Sequence, residues 1–358
     1  MKFSVCIPNY NYAQYIDSAI QSVLTQDHDD FEILVTDNAS TDASVAVVQK
    51  VGDPRVRLQQ NRWNVGFAQN VDRATRNAVG ELMMLLASDD LMLPGAMSKY
   101  VALFEAIGGE QSRALAGARQ FLIDGDGKHT GDVDCDDDLW RGATDVPELQ
   151  QRLGFPVQRI DATTLLHRCL ERQRTPLSAA TTVYPRKLYE EIEGYAANRT
   201  YGPDKWYAWK LLTVADDVYF IGEHLAAQRW HPENQFYQER NEGALKYLVD
   251  SYLNTLEIAP QTLRKANMSA ENFIEAFVEY QVARHGLATL ARGQRTRAAR
   301  IRDFGRSTYP QAMRKNLKAR SLSALLHLGP LGTEVARLTY PVAKTGLFRS
   351  AFSSASST

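Results

Sequence analysis

Cysteine is scarce in this chain of 358 residues: Cys6, Cys135 and Cys169 are the whole set, and none is close to another. An odd, sparse set excludes a disulfide framework and fits a reducing compartment. Net charge is nearly absent too, −1 at neutral pH, so no global field selects a nucleic acid or an acidic partner. No stretch approaches the roughly eighteen apolar residues of a membrane-spanning helix. The apolar opening ends by Asn9, too short for the core of a signal peptide. Glycine is missing from residues 8–12, and with it the phosphate-cradling turn of dinucleotide-binding and nucleotidyl-transferring folds. Together these absences predict a cytoplasmic chain without a dinucleotide cofactor.

What is present is an alternation of strands and helices. Hydrophobic residues make up 44% of the chain, ample for one large core or two unequal domains. Charge divides along it: residues 1–240 hold 24 basic and 34 acidic side chains, and residues 241–358 hold 17 and 8. That split predicts two parts with different tasks. Residues 3–7, 31–36, 56–59 and 82–87 are short apolar runs that read as buried strands, and helical spacing covers about 13–26, 42–51 and 66–79. The alternation predicts an α/β fold with a mostly parallel central sheet and flanking helices. Residues 105–200 are less regular, with a hairpin turn at 125–131 and a strand-to-helix step at 183–192. From Leu245 onward the pattern is helical.

Polar clusters close three of the predicted strands: Pro8, Asn9, Tyr10 and Asn11; Asp37 through Asp42; and Ser88, Asp89 and Asp90. Ligands of parallel sheets bind at the carboxyl ends of strands, near the switch in strand order, so equivalent placement predicts one crevice. Adjacent carboxylates at Asp89 and Asp90 repel unless solvent or a cation screens them. A divalent ion bridging to a diphosphate does so, and helix capping is the competing role. Asp37 comes directly off its strand, where a carboxylate accepts from a nucleobase or ribose. It and Asp42 equally suit caps. Tyr10 offers a stacking face for a base, or packing.

Taken in order, Ser4-Val5-Cys6-Ile7-Pro8-Asn9-Tyr10-Asn11, Asp37-Asn38-Ala39-Ser40-Thr41-Asp42, Asn64-Val65-Gly66-Phe67, Gly80-Glu81, Ser88-Asp89-Asp90 and Pro94-Gly95 resemble the family 2 glycosyltransferases. These are inverting enzymes of the GT-A (Rossmann-like) fold, here of the bacterial cell-envelope polysaccharide type. The resemblance covers about residues 3–235 and is dense over the first hundred. It implies a nucleotide-sugar donor (a UDP-sugar by family habit), Mn²⁺ or Mg²⁺, and a glycan or lipid-linked glycan acceptor. It also implies a catalytic domain over 1–240, with a nucleotide-binding half at 1–100 and an acceptor-binding half at 101–240. A helical, basic region follows at 241–358.

The same resemblance implies roles position by position. Asp37 binds the nucleobase, Asp42 shapes its loop, and Pro8, Asn9, Tyr10 and Asn11 line the base and ribose pocket. Asn64 and Ser88 belong to the donor site. Asp89 and Asp90 occupy the metal site, Asp89 also meeting the donor. His231 completes the metal site or contacts phosphate, and Arg229 is a phosphate ligand. Asp204 is the base that deprotonates the acceptor hydroxyl during in-line attack, and the helical pair Trp206 and Trp209 flanks the acceptor sugar or packs in the core. Two departures are Ala87, where relatives often have Asp, and Pro203, where they have Glu. They motivate the alternative, a catalytically inactive nucleotide-sugar-binding or scaffold protein.

Three further features read as bland. The acidic run Asp132, Asp134, Asp136, Asp137, Asp138 lacks the Gly and Glu of a calcium loop. Asn198-Arg199-Thr200 is a glycosylation triplet that a cytosolic chain leaves unmodified. Residues 284–320 carry eleven basic side chains against Asp303 alone. These form either a solvated helical face or a contact with anionic lipid at the inner face of the membrane. No nucleic-acid-binding motif accompanies them, and nothing in the sequence fixes an oligomeric state.

Overall fold

A computed structural model describes residues 1–133, 137–195, 203–231, 234 and 244–340. Asp134, Cys135, Asp136, the triplet at 198–200, Tyr201, Gly202 and the serine-rich end lie outside the described residues. The chain divides into two units: Met1–Leu165 with Thr175–Pro232, and Leu166–Arg174 with Glu233–Thr358. Residues 166–174 group with the second unit. Hydrogen bonds from His167 to the Ala266 carbonyl and from Gln281 to the Gln173 carbonyl tie that segment there.

The first unit opens with β1 (Phe3–Asn9), α1 (Ile16–Leu24), β2 (Phe31–Asp37), α2 (Ser44–Val51), β3 (Val56–Gln60), α3 (Phe67–Arg76), β4 (Leu82–Leu85), β5 (Leu91–Met92) and α4 (Ala96–Ala106). It continues with β6 (Ala114–Ile123), β7 (His129–Asp132), α5 (Asp137–Trp140), β8 (Thr144–Asp145), α6 (Pro147–Leu153), β9 (Val157–Asp161), α7 (Ala162–Arg172, whose residues from 166 onward belong to the second unit), β10 (Val183–Pro185), α8 (Arg186–Glu191), α9 (Pro203–Val214) and β11 (Asp217–Arg229). The sheet runs β3-β2-β1-β4-β10-β6-β11-β9-β8. β3, β2, β1 and β4 are parallel throughout, and β6 pairs parallel with β11. β10 runs antiparallel to both β4 and β6, and β9 antiparallel to β11 and β8, so the later half is mixed.

β1 and β2 are apolar because both faces are covered; Phe3, Val5, Ile7, Ile33 and Val35 share one core with α1 and α4. Pro8 lacks an amide hydrogen, and it lies beyond the β4 ladder, which ends at the Cys6–Leu85 pair. α1 starts later than its apolar spacing suggests, because Asn11 takes a left-handed conformation (φ 59°) and residues 12–15 form a turn. β1 sits between β2 and β4, and the chain moves outward from it in both directions. This is the switch point, and its carboxyl edge carries Asn9, Asp37 and the turn after β4.

At the opposite edge the strands are locked by a close approach. The Gly80 amide donates to Ser4 Oγ at 2.8 Å, and a Cβ on Gly80 would meet Ser4 Oγ at 2.6 Å and the Lys2 carbonyl at 2.9 Å. Ser4 Oγ donates to Glu32 at 2.6 Å; the Val79 amide and Arg57 donate to the same carboxylate. Burial opposes the charge of Glu32, but the hydrogen bonds of Ser4, Val79 and Arg57 outweigh it and hold the carboxyl below its ordinary 4.5. This accounts physically for the Gly80-Glu81 step; Glu81 itself accepts from the Lys2 amide.

The second unit is helical. Leu248, Phe277, Val282, Ile301 and Met313 form one core, and Leu287, Leu290, Leu322 and Leu326 a second. Among the described residues, no helix is long and apolar enough to cross a membrane.

Two outcomes test this frame. Gly80→Ala forces Ser4 or Lys2 to move and lowers stability by about 1–3 kcal/mol in urea unfolding. Because the Glu32 carboxyl is lowered in the folded state, its contribution is present above about pH 4.5 and is lost as pH falls through the lower folded value. Stability of the native chain should therefore fall more steeply below that pH than stability of Glu32→Gln.

Candidate active site

Asn9 and Asp37 end adjacent strands in register. Asn9 Nδ2 donates to Asp37 Oδ1 at 2.9 Å, and Ser40 gives the same carboxylate its amide (2.9 Å) and its hydroxyl (2.6 Å). Asp37 is 2% exposed, yet three donors do not exhaust the roughly four acceptor positions of a carboxylate. Asn9 Oδ1 is buried without a hydrogen-bond partner. Beside them Tyr10 is exposed, and Asn11 Oδ1 accepts from the Thr41 amide. Asp42 takes the Ala13 and Ser44 amides, so it clips the two loops together. Burial opposes its charge; the hydrogen bonds of Ser44 and Ala13 win and hold its carboxyl below the ordinary range.

The loop after β3 is fastened to this edge by amide side chains, of which Asn61 and Asn70 had no part in the sequence reading. Asn38 Nδ2 donates to Asn64 Oδ1 at 2.9 Å, and Asn38 Oδ1 accepts from the Val65 amide and Asn61 Nδ2. Asn61 also donates to Asn70 Oδ1, and Asn70 donates to the Thr36 carbonyl at 2.9 Å. Asn64 is therefore the brace of its own turn: its Oδ1 also accepts from the Gly66 amide. Gly66, at φ 87°, starts α3 in a conformation that glycine tolerates. Asparagines beside strands look like ordinary turn residues; the only signal was their recurrence after β1, β2 and β3.

The turn after β4 buries Ser88, Asp89 and Asp90. β5 pairs with β11 at Met92–Ala226 and Leu91–Ala227, which carries Arg229 and His231 to the pair. The Arg229 amide donates to Asp90 Oδ1 at 2.8 Å, and Nε donates to the Asp89 carbonyl at 2.8 Å. Nη1 reaches the carbonyls of Asp124 and Gly125 in the hairpin turn, and the guanidinium lies over the Tyr15 ring. The guanidinium donors described are thus spent on backbone, which makes Arg229 a clamp for the carboxylate turn. His231 Nε2 is 3.0 Å from Asp89 Oδ2, its ring packs against Tyr12 and Tyr15, and its Nδ1 is buried without a partner.

Burial first, and the neighbouring charge of Asp89 second, push the Asp90 carboxyl well above its ordinary range; the Arg229 amide and charge oppose them. Such a pair takes up either a proton or a cation. Among the described residues no three His, Cys, Asp or Glu side chains converge as a metal cluster, so Asp89, Asp90 and His231 are not a ready-made cage. The donor set still suits Mg²⁺ or Mn²⁺, which one or two carboxylates hold while waters and phosphate oxygens complete the shell.

Asp204 stands in the first turn of α9 and accepts from the Tyr195 hydroxyl at 2.6 Å. Tyr195 packs on Tyr207, whose hydroxyl donates to Tyr184 on β10. The Tyr195 amide donates to Asp72 on α3, and Asp72 also pairs with Arg76 at 2.5 Å. Solvent reaches Asp204, while protein crowds it on a wider radius. That crowding raises its carboxyl above the ordinary range, and the Tyr195 hydrogen bond partly offsets the rise. Trp209 is core, and Trp206 is half-buried against it. A separate cavity of about 460 Å³, lined by Thr75, Arg76, Arg186, Tyr189 and Gly194 among others, includes none of the residues singled out for chemistry.

Residues 4–111 match the family model described as glycosyl transferase family 2. An uncharacterized glycosyltransferase of Nostoc sp. is 36% identical over 115 residues, 29% of this chain and 33% of the relative. A GalNAc(5)-diNAcBac-PP-undecaprenol beta-1,3-glucosyltransferase of Campylobacter jejuni is 37% identical over 101 residues, 27% of this chain and 32% of the relative. These matches span about a third of each relative. The crystal structure of S. aureus TarS 1–349 in complex with UDP-GlcNAc superposes with a TM-score of 0.63 at 16% identity, over 95% of this chain and 91% of that one. At that identity the likeness is one of fold, the GT-A fold.

Removing the Asn70 side chain as Asn70→Ala strands the Asn61 amide and the Thr36 carbonyl. Urea unfolding should register a loss of about 1–3 kcal/mol. Arg229→Met leaves the carboxylate turn without its clamp. We expect a loss of about 3–5 kcal/mol by the same measurement, with no recovery in Arg229→Lys, which lacks the fork that reaches three carbonyls.

Proposed function

We propose that this chain, whose residues 4–111 are a glycosyl transferase family 2 domain on a GT-A fold, moves one sugar from a nucleoside-diphosphate donor to a glycan or lipid-linked glycan acceptor. The observation that carries the reading is the switch point itself. Asn9 and Asp37 stand on one side of the β1 edge, and the Asp89–Asp90 turn stands on the other. Asp37 and the unpartnered Asn9 Oδ1 offer acceptors to a nucleobase, and exposed Tyr10 offers a stacking face. UDP-GlcNAc bound to TarS supports a UDP-sugar as donor, and the Campylobacter relative's name supports an acceptor carried on an undecaprenol diphosphate.

Transfer is an in-line displacement that inverts the anomeric centre. Asp204 takes the proton of the acceptor hydroxyl as its oxygen attacks the anomeric carbon and the bond to the donor diphosphate breaks. A raised carboxyl brings the base closer to the working pH, where general-base catalysis is most effective. Asp89 and Asp90, with His231 beside Asp89, would hold Mn²⁺ or Mg²⁺, which when bound would offset the charge of the departing diphosphate. Arg229 keeps that turn in place, and Tyr195 orients Asp204.

Asp204→Asn should lower turnover by about 10²-fold or more while UDP-sugar binding, followed by calorimetry, stays within a small factor of the parent. Equal loss of both would remove Asp204 from the base role. The base works deprotonated, so activity falls as pH drops through its raised pKa. Tyr195→Phe deletes the hydrogen bond that lowers that pKa and moves the acid limb of the pH–rate profile upward. Intact nucleotide binding without turnover on any donor, with or without Mn²⁺, would favour a nucleotide-sugar-binding scaffold instead.

A further inference from the structure

The last two helices of the second unit carry leucines that its core does not use. That core is closed by Leu287, Leu290, Leu322, Leu326 and Ala336. Gly332 lets helix Gly329–Thr339 fold onto the backbone of Leu325, where a Cβ would overlap the Leu325 carbonyl. On the outer surface Leu317 is 72% exposed, Leu328 53%, Leu331 64% and Leu338 83%. Leu331 and Leu338, seven apart, share a face of helix Gly329–Thr339, while Leu317 opens the preceding helix and Leu328 joins the two. Burying a leucine is worth far more than leaving it in water, so four in 22 residues is more than scattered surface leucine.

Charge says what covers them. Residues 284–340 hold twelve Lys and Arg against two acids, Asp303 and Glu334. Several are spent inside the unit: Lys315 pairs with Glu271, Lys318 with Glu279, and Arg337 with Glu334. Arg300, Arg314 and Arg320 are exposed and have no acidic partner among the described residues. Arg320 stands one turn from Leu317 on the same helix, and Arg314 one turn before it in sequence. A surface that joins exposed leucines to unpaired guanidinium groups matches an interface with hydrocarbon beneath and anionic headgroups above.

We propose that helices Leu317–His327 and Gly329–Thr339 dock this chain on the surface of an anionic bilayer. Leu317, Leu328, Leu331 and Leu338 enter the acyl boundary, and Arg314 and Arg320 meet lipid phosphates. The surface is independent of the transfer chemistry proposed above, so its test needs no turnover. The full chain is sedimented with vesicles of phosphatidylcholine alone and of phosphatidylcholine with phosphatidylglycerol. Binding to the anionic vesicles, weakened by salt, is expected. Leu331→Asp with Leu338→Asp, and separately Arg314→Glu with Arg320→Glu, should each lower it by about tenfold or more. All four side chains are exposed, and circular dichroism checks that the variants remain folded. Equal binding to neutral vesicles, or none to either, overturns the proposal. So does a concentration-dependent dimer that the leucine substitutions dissociate, which would assign the face to a second copy.

Discussion

Asp89 and Asp90 stand side by side in a buried turn, and two carboxylates so placed cannot both be charged without compensation. The neighbourhood is organised around that constraint. β5 is only two residues long, yet it pairs with the far end of β11 and delivers Arg229 and His231 to the pair. Arg229 then fastens the turn to the hairpin at Asp124 and Gly125, so three segments distant in sequence converge on one guanidinium. The positive charge steadies the turn without neutralising it, because Asp90 is still pushed well above its ordinary range. The turn is thus built to accept a further proton or cation.

Across β1 the problem is solved differently. Asn9, Asn38, Asn61, Asn64 and Asn70 hold the loops after three parallel strands, and each amide can donate and accept at once. These amides share the bracing with charged groups: Asp42 clips the loops after β1 and β2 together, and Arg73 donates to Asn61 Oδ1 at 2.6 Å.

The strands at this edge were legible because β1, β2 and β4 are buried on both faces and each ends in a polar cluster. Asp42 was legible as a loop-shaping residue, and Asp89 with His231 as neighbours. The later sheet was not: β10 is three residues long, and β11 is interrupted by irregularities on either side of His224, which break its alternation. The expectation of a mostly parallel sheet holds for β3-β2-β1-β4 and gives way to mixed pairing where these strands enter. The resemblance offered Arg229 as a phosphate ligand, and its role as a clamp on the carboxylate turn came only with the structure. Its partners are carbonyls more than a hundred residues away, which no local pattern encodes. The asparagine braces were hidden by their likeness to turn formers.

Helix α3 carries both kinds of attachment within six residues. Asn70 reaches back to the β2 carbonyl at Thr36, while Asp72 and Thr75 hold the Tyr195 amide and the Tyr189 hydroxyl that lead toward Asp204. Anyone recombining such chains to exchange acceptor specificity must therefore choose which parent supplies this helix. A crossover placed just before or just after it separates one set of partners from the residues that evolved to meet them. The natural seam for a chimera is not the midpoint between motifs but a pair of cuts that carries α3 together with the 189–195 segment.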